Sequence, residues 1–196
     1  DGDADRIGVV DNQGNIIWGD QLMIILSRAV LAEKPGAKII GDVKCSQQMF
    51  DDIKNHNGQA IMWMTGHSLI KTKMKEEQAA LAGDMSGLIF FADRYFGYDD
   101  AIYTTCRLIE IAKKSGQSIS RILADLPKMT VTPEIRIDCP DEKKSQVVAQ
   151  VRDRIKYQAS NNKNSDIKEC ITIDGIRVVF SRGWALLRSS NTQPAL

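Results

Sequence analysis

Between residues 38 and 114, short apolar runs alternate with stretches whose apolar residues recur at helical spacing, and this alternation restricts the fold more than any other property of the chain. Lys38 to Asp42 reads as a buried strand, Ser46 to Asn55 as a helix opened by a serine cap, and Gln59 to Met64 as a second strand. Leu69 to Glu77 is again helical and Leu88 to Phe91 extended. Ala101 to Lys114 is a helix with Ile102, Thr105, Cys106, Ile109 and Ala112 on its predicted face. Upstream, Ile7 to Val10 and Ile16–Ile17 flank a turn at 11–15, and Asp20 is placed to cap a helix through Leu22, Ile25, Leu26, Ala29 and Val30 that Pro35-Gly36 stops. Strand-helix-strand order predicts an α/β layer with a mostly parallel sheet.

The pattern changes near Pro127, where Leu126-Pro127 and Thr132-Pro133 interrupt regular structure. Beyond it the chain reads as a strand at Glu134 to Ile137, a helix from Asp141 to about Tyr157 with Val147, Val148, Val151 and Ile155 on one side, and a polar loop at 160–166. Strands follow at Glu169 to Ile173, Ile176 to Ser181 and Trp184 to Leu187, the first two joined by the hairpin signal Asp174-Gly175. The fold class is therefore α/β, one mixed α/β domain followed by a smaller α+β domain, with divisions at 1–17, 18–130 and 131–196.

Charge excludes one class of partner. With 26 basic and 25 acidic side chains the net charge is +1, and the Lys/Arg residues form no dense run, so nucleic acid is not the expected ligand. Cys45, Cys106, Cys139 and Cys170 lie far apart, no segment reads as a signal peptide or a membrane span, and reduced thiols in a cytoplasmic protein are expected. The chain lacks an initiator Met, which suggests a piece of something longer.

Four loops carry chemistry. "DGDADR" places Asp1, Asp3 and Asp5 where small Gly2 and Ala4 allow the backbone to curl and the carboxylates to converge. Crowded carboxylates invite a divalent cation, and oxygen-only ligands favour Mg²⁺, Mn²⁺ or Ca²⁺ over Zn²⁺. A calcium helix-loop-helix would need Gly at its sixth position and Glu at its twelfth, which are Arg6 and Asn12 here; a solvated acidic turn is the plain alternative. Arg6 adds a guanidinium suited to phosphate oxygens. "RSSNTQPAL" at 188–196 sets Arg188 ahead of short donors at Ser190, Asn191 and Thr192, right for a phosphate dianion and equally usable as a turn. "TGHS" at 65–68 joins a strand to a helix and projects His67 from the sheet's carboxyl edge. "GDMSGL" at 83–88 brings Asp84 and Ser86, which suit sugar hydroxyls or a plain turn.

In this order, with "DVKCS", "TGHSLIKTKMKE", "FFADRYFGYDDAIY" and "GWALLRSSNTQP" between and after them, the loops resemble the α-D-phosphohexomutase family. The resemblance covers nearly the whole chain. It implies a tail of the metal-binding second domain at 1–17, the sugar-binding third domain at 18–130, and most of the phosphate-binding fourth domain at 131–196. By position it implies that Asp1, Asp3 and Asp5 hold Mg²⁺, that Arg6, Lys44 and His67 serve catalysis, and that Asp84 and Ser86 read sugar hydroxyls. Arg188, Ser190, Asn191 and Thr192 would anchor the phosphate that is not transferred. The implied reaction is an isomerisation that moves a phosphoryl group between O1 and O6 of a mannose or glucose phosphate, through a phosphoserine and a bisphosphorylated intermediate. The implied partners are the hexose phosphate and the N-terminal domains of the same protein, with no nucleic acid or membrane.

The chain departs from the family pattern in three places. Asp84 stands for the usual glutamate, Leu88 for a histidine and Gln193 for a common glutamate, and no T-x-S-H-N-P-like serine loop occurs. The chain alone is therefore expected to be inactive. The alternative is a catalytically incomplete homologue that only binds metal or sugar phosphate; a phosphatase using the acidic loop itself fits less well, since no Thr or Ser follows it.

Overall fold

The computed structural model describes residues 2–161 and 166–196, so Asp1 and most of the predicted polar loop at 160–166 lie outside the described residues. The chain divides into two compact units, Asp1–Pro127 and Lys128–Leu196.

The first unit opens with the two-residue antiparallel pair β1 (Val9–Val10) and β2 (Ile16–Ile17). Asp11 shapes the turn between them, its Oδ1 accepting the Gln13 and Asn15 amides at 2.8 and 2.9 Å. Then follow α1 (Gly19–Glu33), β3 (Lys38–Asp42), α2 (Gln47–Asn55), β4 (Gln59–Trp63), α3 (His67–Glu77), β5 (Leu81–Gly83), β6 (Ile89–Phe91), α4 (Ala101–Ser115) and α5 (Ile119–Ile122). The sheet order is β4-β3-β5-β6, with β3 parallel to both β4 and β5 and β6 antiparallel at the edge.

Period-2 alternation divides the core between the two faces of this sheet. Ile39, Leu81, Ile89 and Phe91 pack with Leu22, Met23 and Leu26 of α1 and Met49, Phe50 and Ile53 of α2. Their neighbours Ile40, Ala82 and Phe90 pack with Ile70 and Met74 of α3 on the other side. Asp42 continues the Ile40 face at the carboxyl end of β3, so the parallel strands β3, β4 and β5 finish together and their following loops share one edge. Gly19 brings α1 against the loop after β5: a Cβ there would meet the Asp84 carbonyl oxygen and lie 2.8 Å from that of Met85.

Two expectations for this unit are corrected. Asp20 does not cap α1; the preceding residue is Trp18, whose amide donates to Gln21 Oε1 at 3.1 Å, while Asp20 accepts the Gln21 and Ser46 amides at 2.9 and 3.0 Å. The buried face of α4 is Thr104, Arg107 and Leu108, whereas Ile102, Cys106 and Ile109 face solvent. Arg107 explains the rotation. Its guanidinium donates to Asp93 Oδ2 at 3.0 Å and to the Asp93 carbonyl at 3.1 Å, and lies 4.5 Å over the Phe91 ring, so a charged residue occupies the core side.

The second unit contains α6 (Asp141–Asn161) and the antiparallel sheet β7 (Ile167–Ile171), β8 (Ile176–Phe180) and β9 (Trp184–Leu187) in that order. Val147, Val148, Val151 and Ile155 of α6 are half-buried, as their spacing predicts. Glu134 to Ile137 is not a strand. Among the described residues the bridge Asp138↔Ala195 forms beside it, with Ile137 and Leu196 exchanging amide bonds at 3.1 and 2.9 Å, and Pro194 accepts from Cys139 N–H at 2.9 Å but has no N–H to return. The β7–β8 turn places Gly175 at φ +79°, where a Cβ would meet the Leu187 carbonyl oxygen and lie 2.7 Å from Arg188 Cα. Gly175→Ala is expected to cost about 1–3 kcal/mol, read as a shifted urea midpoint for this unit; an unshifted midpoint would contradict the tight turn.

Candidate functional site

In the first unit, three of the sequence-predicted loops, at 1–6, 65–68 and 83–88, lie with the Lys44 loop at the carboxyl edge of the sheet. The acidic loop turns as its small residues allow, Ala4 adopting φ +58°. It is then fixed to the loop after β5: Ile7 N–H donates to the Gly87 carbonyl at 3.1 Å, Arg6 forms an antiparallel bridge with Leu88, and the Ala101 amide donates to the Ala4 carbonyl at 2.9 Å. Asp3 and Arg6 are exposed, and Asp5 is half-buried with Oδ1 shielded from solvent and no hydrogen-bond partner. Asp1 lies outside the described residues.

Asp84 behaves differently from a side chain held out to a ligand. It is 5% exposed, and its Oδ1 accepts from Ser86 N–H at 2.9 Å, Ser86 Oγ at 2.7 Å and Leu88 N–H at 3.1 Å. One carboxylate oxygen thus organises the loop that displays exposed Ser86. Leu88, buried at 5% exposure, packs with Ile40 and Phe90.

Lys44 and His67 come from the neighbouring loops. Lys44 is half-buried after β3, and exposed His67 is the first residue of α3, behind Gly66 at φ +138°. Between them lies a residue that the sequence reading did not single out, Asp42, 1% exposed. Its carboxyl is pushed up to about 6, first by burial and next by the charge of Asp84. Burial also pushes the neighbouring Cys45 thiol well up, so it is a structural donor to Asp42 rather than a nucleophile. A carboxylate at the end of a β-strand was the available signal for Asp42, but nothing local indicates that it turns inward.

In the second unit, Arg188 follows β9. Its Nε donates to Asp174 Oδ2 at 3.0 Å, and its Nη2 is buried with no hydrogen-bond partner. Ser190 Oγ accepts from the Thr192 and Gln193 amides at 3.3 and 3.1 Å, while Asn191 and Thr192 are exposed. Lys144 of α6 donates to the carbonyls of Ser190 and Gln193, each at 2.8 Å. Asp174 and Lys144 brace the loop from 14 and 46 residues away, a separation that local sequence reading does not bridge.

Among the described residues no group of three His, Cys, Asp or Glu side chains is placed to hold a metal ion. The acidic loop contributes two described carboxylates, Asp3 and Asp5. The partnerless Asp5 Oδ1 and the oxygen-only donor set fit a hard divalent cation.

The family profile "Phosphoglucomutase/phosphomannomutase, alpha/beta/alpha domain III" matches residues 18–130, and "Phosphoglucomutase/phosphomannomutase, C-terminal domain" matches residues 134–196. The chain is 45% identical over 196 residues to a phosphomannomutase/phosphoglucomutase of Pseudomonas putida, covering 100% of this chain and 41% of that protein. It is 44% identical over 197 residues to a phosphoglucomutase of Neisseria gonorrhoeae, again covering 100% and 41%. A crystal structure of a phosphoglucomutase/phosphomannomutase family protein from Burkholderia thailandensis superposes with TM-score 0.84 at 40% identity, covering 99% of this chain and 39% of that one. The chain thus spans about 41% of the length of the curated relatives it matches. With profiles matching residues 18–130 and 134–196 and the same fold in a solved relative, the chain belongs to the phosphoglucomutase/phosphomannomutase family.

Proposed function

We infer that the whole protein is a phosphohexomutase that moves a phosphoryl group between O1 and O6 of a mannose or glucose phosphate. The observation that carries this reading is Arg188: a half-buried guanidinium with Nε engaged by Asp174 and Nη2 shielded from solvent without a partner, beside the Ser190–Thr192 donors. Buried donors are rarely left unpaired, and a phosphate oxygen is the partner a guanidinium fork suits best. Arg188, Ser190, Asn191 and Thr192 hold the phosphate that stays, and Ser86 meets sugar hydroxyls from the loop that Asp84 shapes.

Asp3 and Asp5, with Asp1, are the residues to hold Mg²⁺, which would supply charge neutralisation for the transferring group. Arg6 adds positive charge beside them. Lys44 and His67 present cationic and proton-exchanging groups at the same edge. Phosphoryl transfer asks the protein mainly for such positioning and charge. The phosphoserine of the relay lies outside these residues, so the 196-residue chain is expected to bind and not turn over.

A second reading, a homologue that binds sugar phosphate without catalysis, draws support from Leu88 and from the inward turn of Asp84. Turnover of glucose 1-phosphate or mannose 1-phosphate by the whole protein separates the two. Binding without turnover there would favour the second. Calorimetry with the chain tests the shared claim: Arg188→Ala should weaken glucose 1-phosphate binding about 10–100-fold, as expected for one lost charge-assisted contact. Equal affinity of variant and wild type would refute the phosphate cradle.

A further inference from the structure

We propose that Asp42 is a positioning residue of the site, a single buried carboxylate that fastens the loop carrying Lys44 to the loop carrying His67. The inference rests on the mutase reading for its ligand, though not for its geometry. Asp42 Oδ1 accepts from Lys44 N–H at 3.1 Å and from Cys45 Sγ at 3.3 Å, both in the loop after β3. Its Oδ2 accepts from Thr65 Oγ1 at 2.9 Å, two residues before His67 in the loop after β4. The two oxygens therefore serve different loops.

The other buried aspartates at this edge do not have that reach. Asp84 Oδ1 accepts from its own loop, at residues 86 and 88. Asp20 ties the start of α1 to Ser46 and goes no nearer to His67. Among these three, Asp42 alone joins the stems of two loops that carry candidate site residues.

The location makes such a tether consequential. Asp42 and Trp63 are paired at the ends of parallel strands, and the Val43 amide donates to the Trp63 carbonyl at 2.9 Å, so both loops leave from one rigid point. Past that point the backbone is free to diverge. Gly66 sits at φ +138° and provides no side-chain cap to α3, so the hydroxyl of Thr65 anchors the helix start from outside. Lys44 and His67 both project beyond the anchor. A shift of either loop would change the spacing of their side chains, and a small misplacement of a positioning group is costly in a transfer site.

The charged neighbours are consistent with a positioning role rather than proton exchange with the ligand. Asp84 from the end of β5 opposes charge on Asp42, Lys44 in its own loop favours it, and Cys45 and Thr65 donate to it. At 1% exposure the Asp42 carboxyl itself is shut off from a ligand.

Thr65→Val tests the tether, because it removes the hydroxyl while preserving side-chain shape and the carboxylate itself. Amide hydrogen exchange and glucose 1-phosphate calorimetry would be measured on the 196-residue chain. Exchange at Lys44 and Cys45, in the opposite loop, should quicken about tenfold, and affinity should fall by a similar factor. Thr65→Ser should restore both to within about twofold. Should Thr65→Val not fold, Asp42→Asn and Asp42→Ala give the same comparison: asparagine keeps an acceptor for Lys44 N–H and an amide able to meet Thr65 Oγ1, and alanine keeps neither. Unchanged exchange at Lys44 and Cys45 in Thr65→Val, or in Asp42→Ala, would overturn the tether. Faster exchange with undiminished affinity would overturn the positioning role. Failure of wild-type chain to bind glucose 1-phosphate would count against the mutase reading, while the exchange data would still decide whether Asp42 couples the loops.

Discussion

Replacing Arg107 with methionine will destabilise the first unit by about 3–5 kcal/mol, the cost of leaving a buried partner charge uncompensated. The pair it breaks is the 3.0 Å contact with Asp93, whose side chains are 5% and 1% exposed. Asp93 also meets Lys34 at 2.7 Å, but that lysine is 54% exposed and cannot replace a guanidinium sealed between Phe91 and Tyr103. Burial raises the Asp93 carboxyl, and Lys34 and Arg107 together outweigh it and hold the group below its ordinary value, so the variant loses one of the two charges that offset the burial. Urea unfolding followed through Trp18 and Trp63, in a Trp184→Phe background, reports this unit. The double variant Asp93→Asn, Arg107→Met should recover part of the loss, because the stranded charge is gone. A loss under about 1 kcal/mol for the single variant would mean that water reaches Asp93 and that the pair is not sealed.

The second large effect depends on pH. Asp42 titrates near 6 in the folded chain against an ordinary 3.8, so between these values the folded state keeps a proton that the unfolded state has released. Stability from this group is complete below about pH 4 and is lost as pH rises through 6, to a total of about 3 kcal/mol. Asp42→Asn removes that slope. The stability of the variant minus that of wild type should therefore rise by about 3 kcal/mol from pH 4 to pH 8, in urea titrations at matched ionic strength. Glu77, held down to about 2 by Lys38 and then Lys73, and Glu110, held down to about 2 by Arg94 and then Lys114, tilt both curves the opposite way and cancel in the difference. Parallel curves for the two proteins would show that Asp42 is ionised at no cost.

The alternation of apolar runs made the α/β layer legible, because a strand buried on both faces and a helix with one apolar stripe leave different periods in the sequence. It did not reveal which stripe of α4 turns inward. Ile102 and Ile109 look like core by hydropathy, and Arg107 becomes core only through Asp93, 14 residues away. β5 escaped for a related reason: Leu81–Gly83 is too short to show alternation and owes its place to pairing with β3 and β6. Site loops were readable as chemistry, since Asp, Arg, Ser and Asn announce what they can bind. Which way each side chain faces was not. Asp42 and Asp84 are the same residue type as Asp3 and Asp5, and only the strand ends and loop amides around them turn the first two into internal struts.

The contact at Gly19 has an evolutionary corollary. With the start of α1 lying against the carbonyls of Asp84 and Met85, the loop after β5 has no slack on its inner side. Drift there can exchange one side chain for another, as at residues 84 and 88, but an inserted residue would have to displace a helix. Variation in this loop is expected to come by substitution at fixed length, with length changes confined to loops that no helix backs.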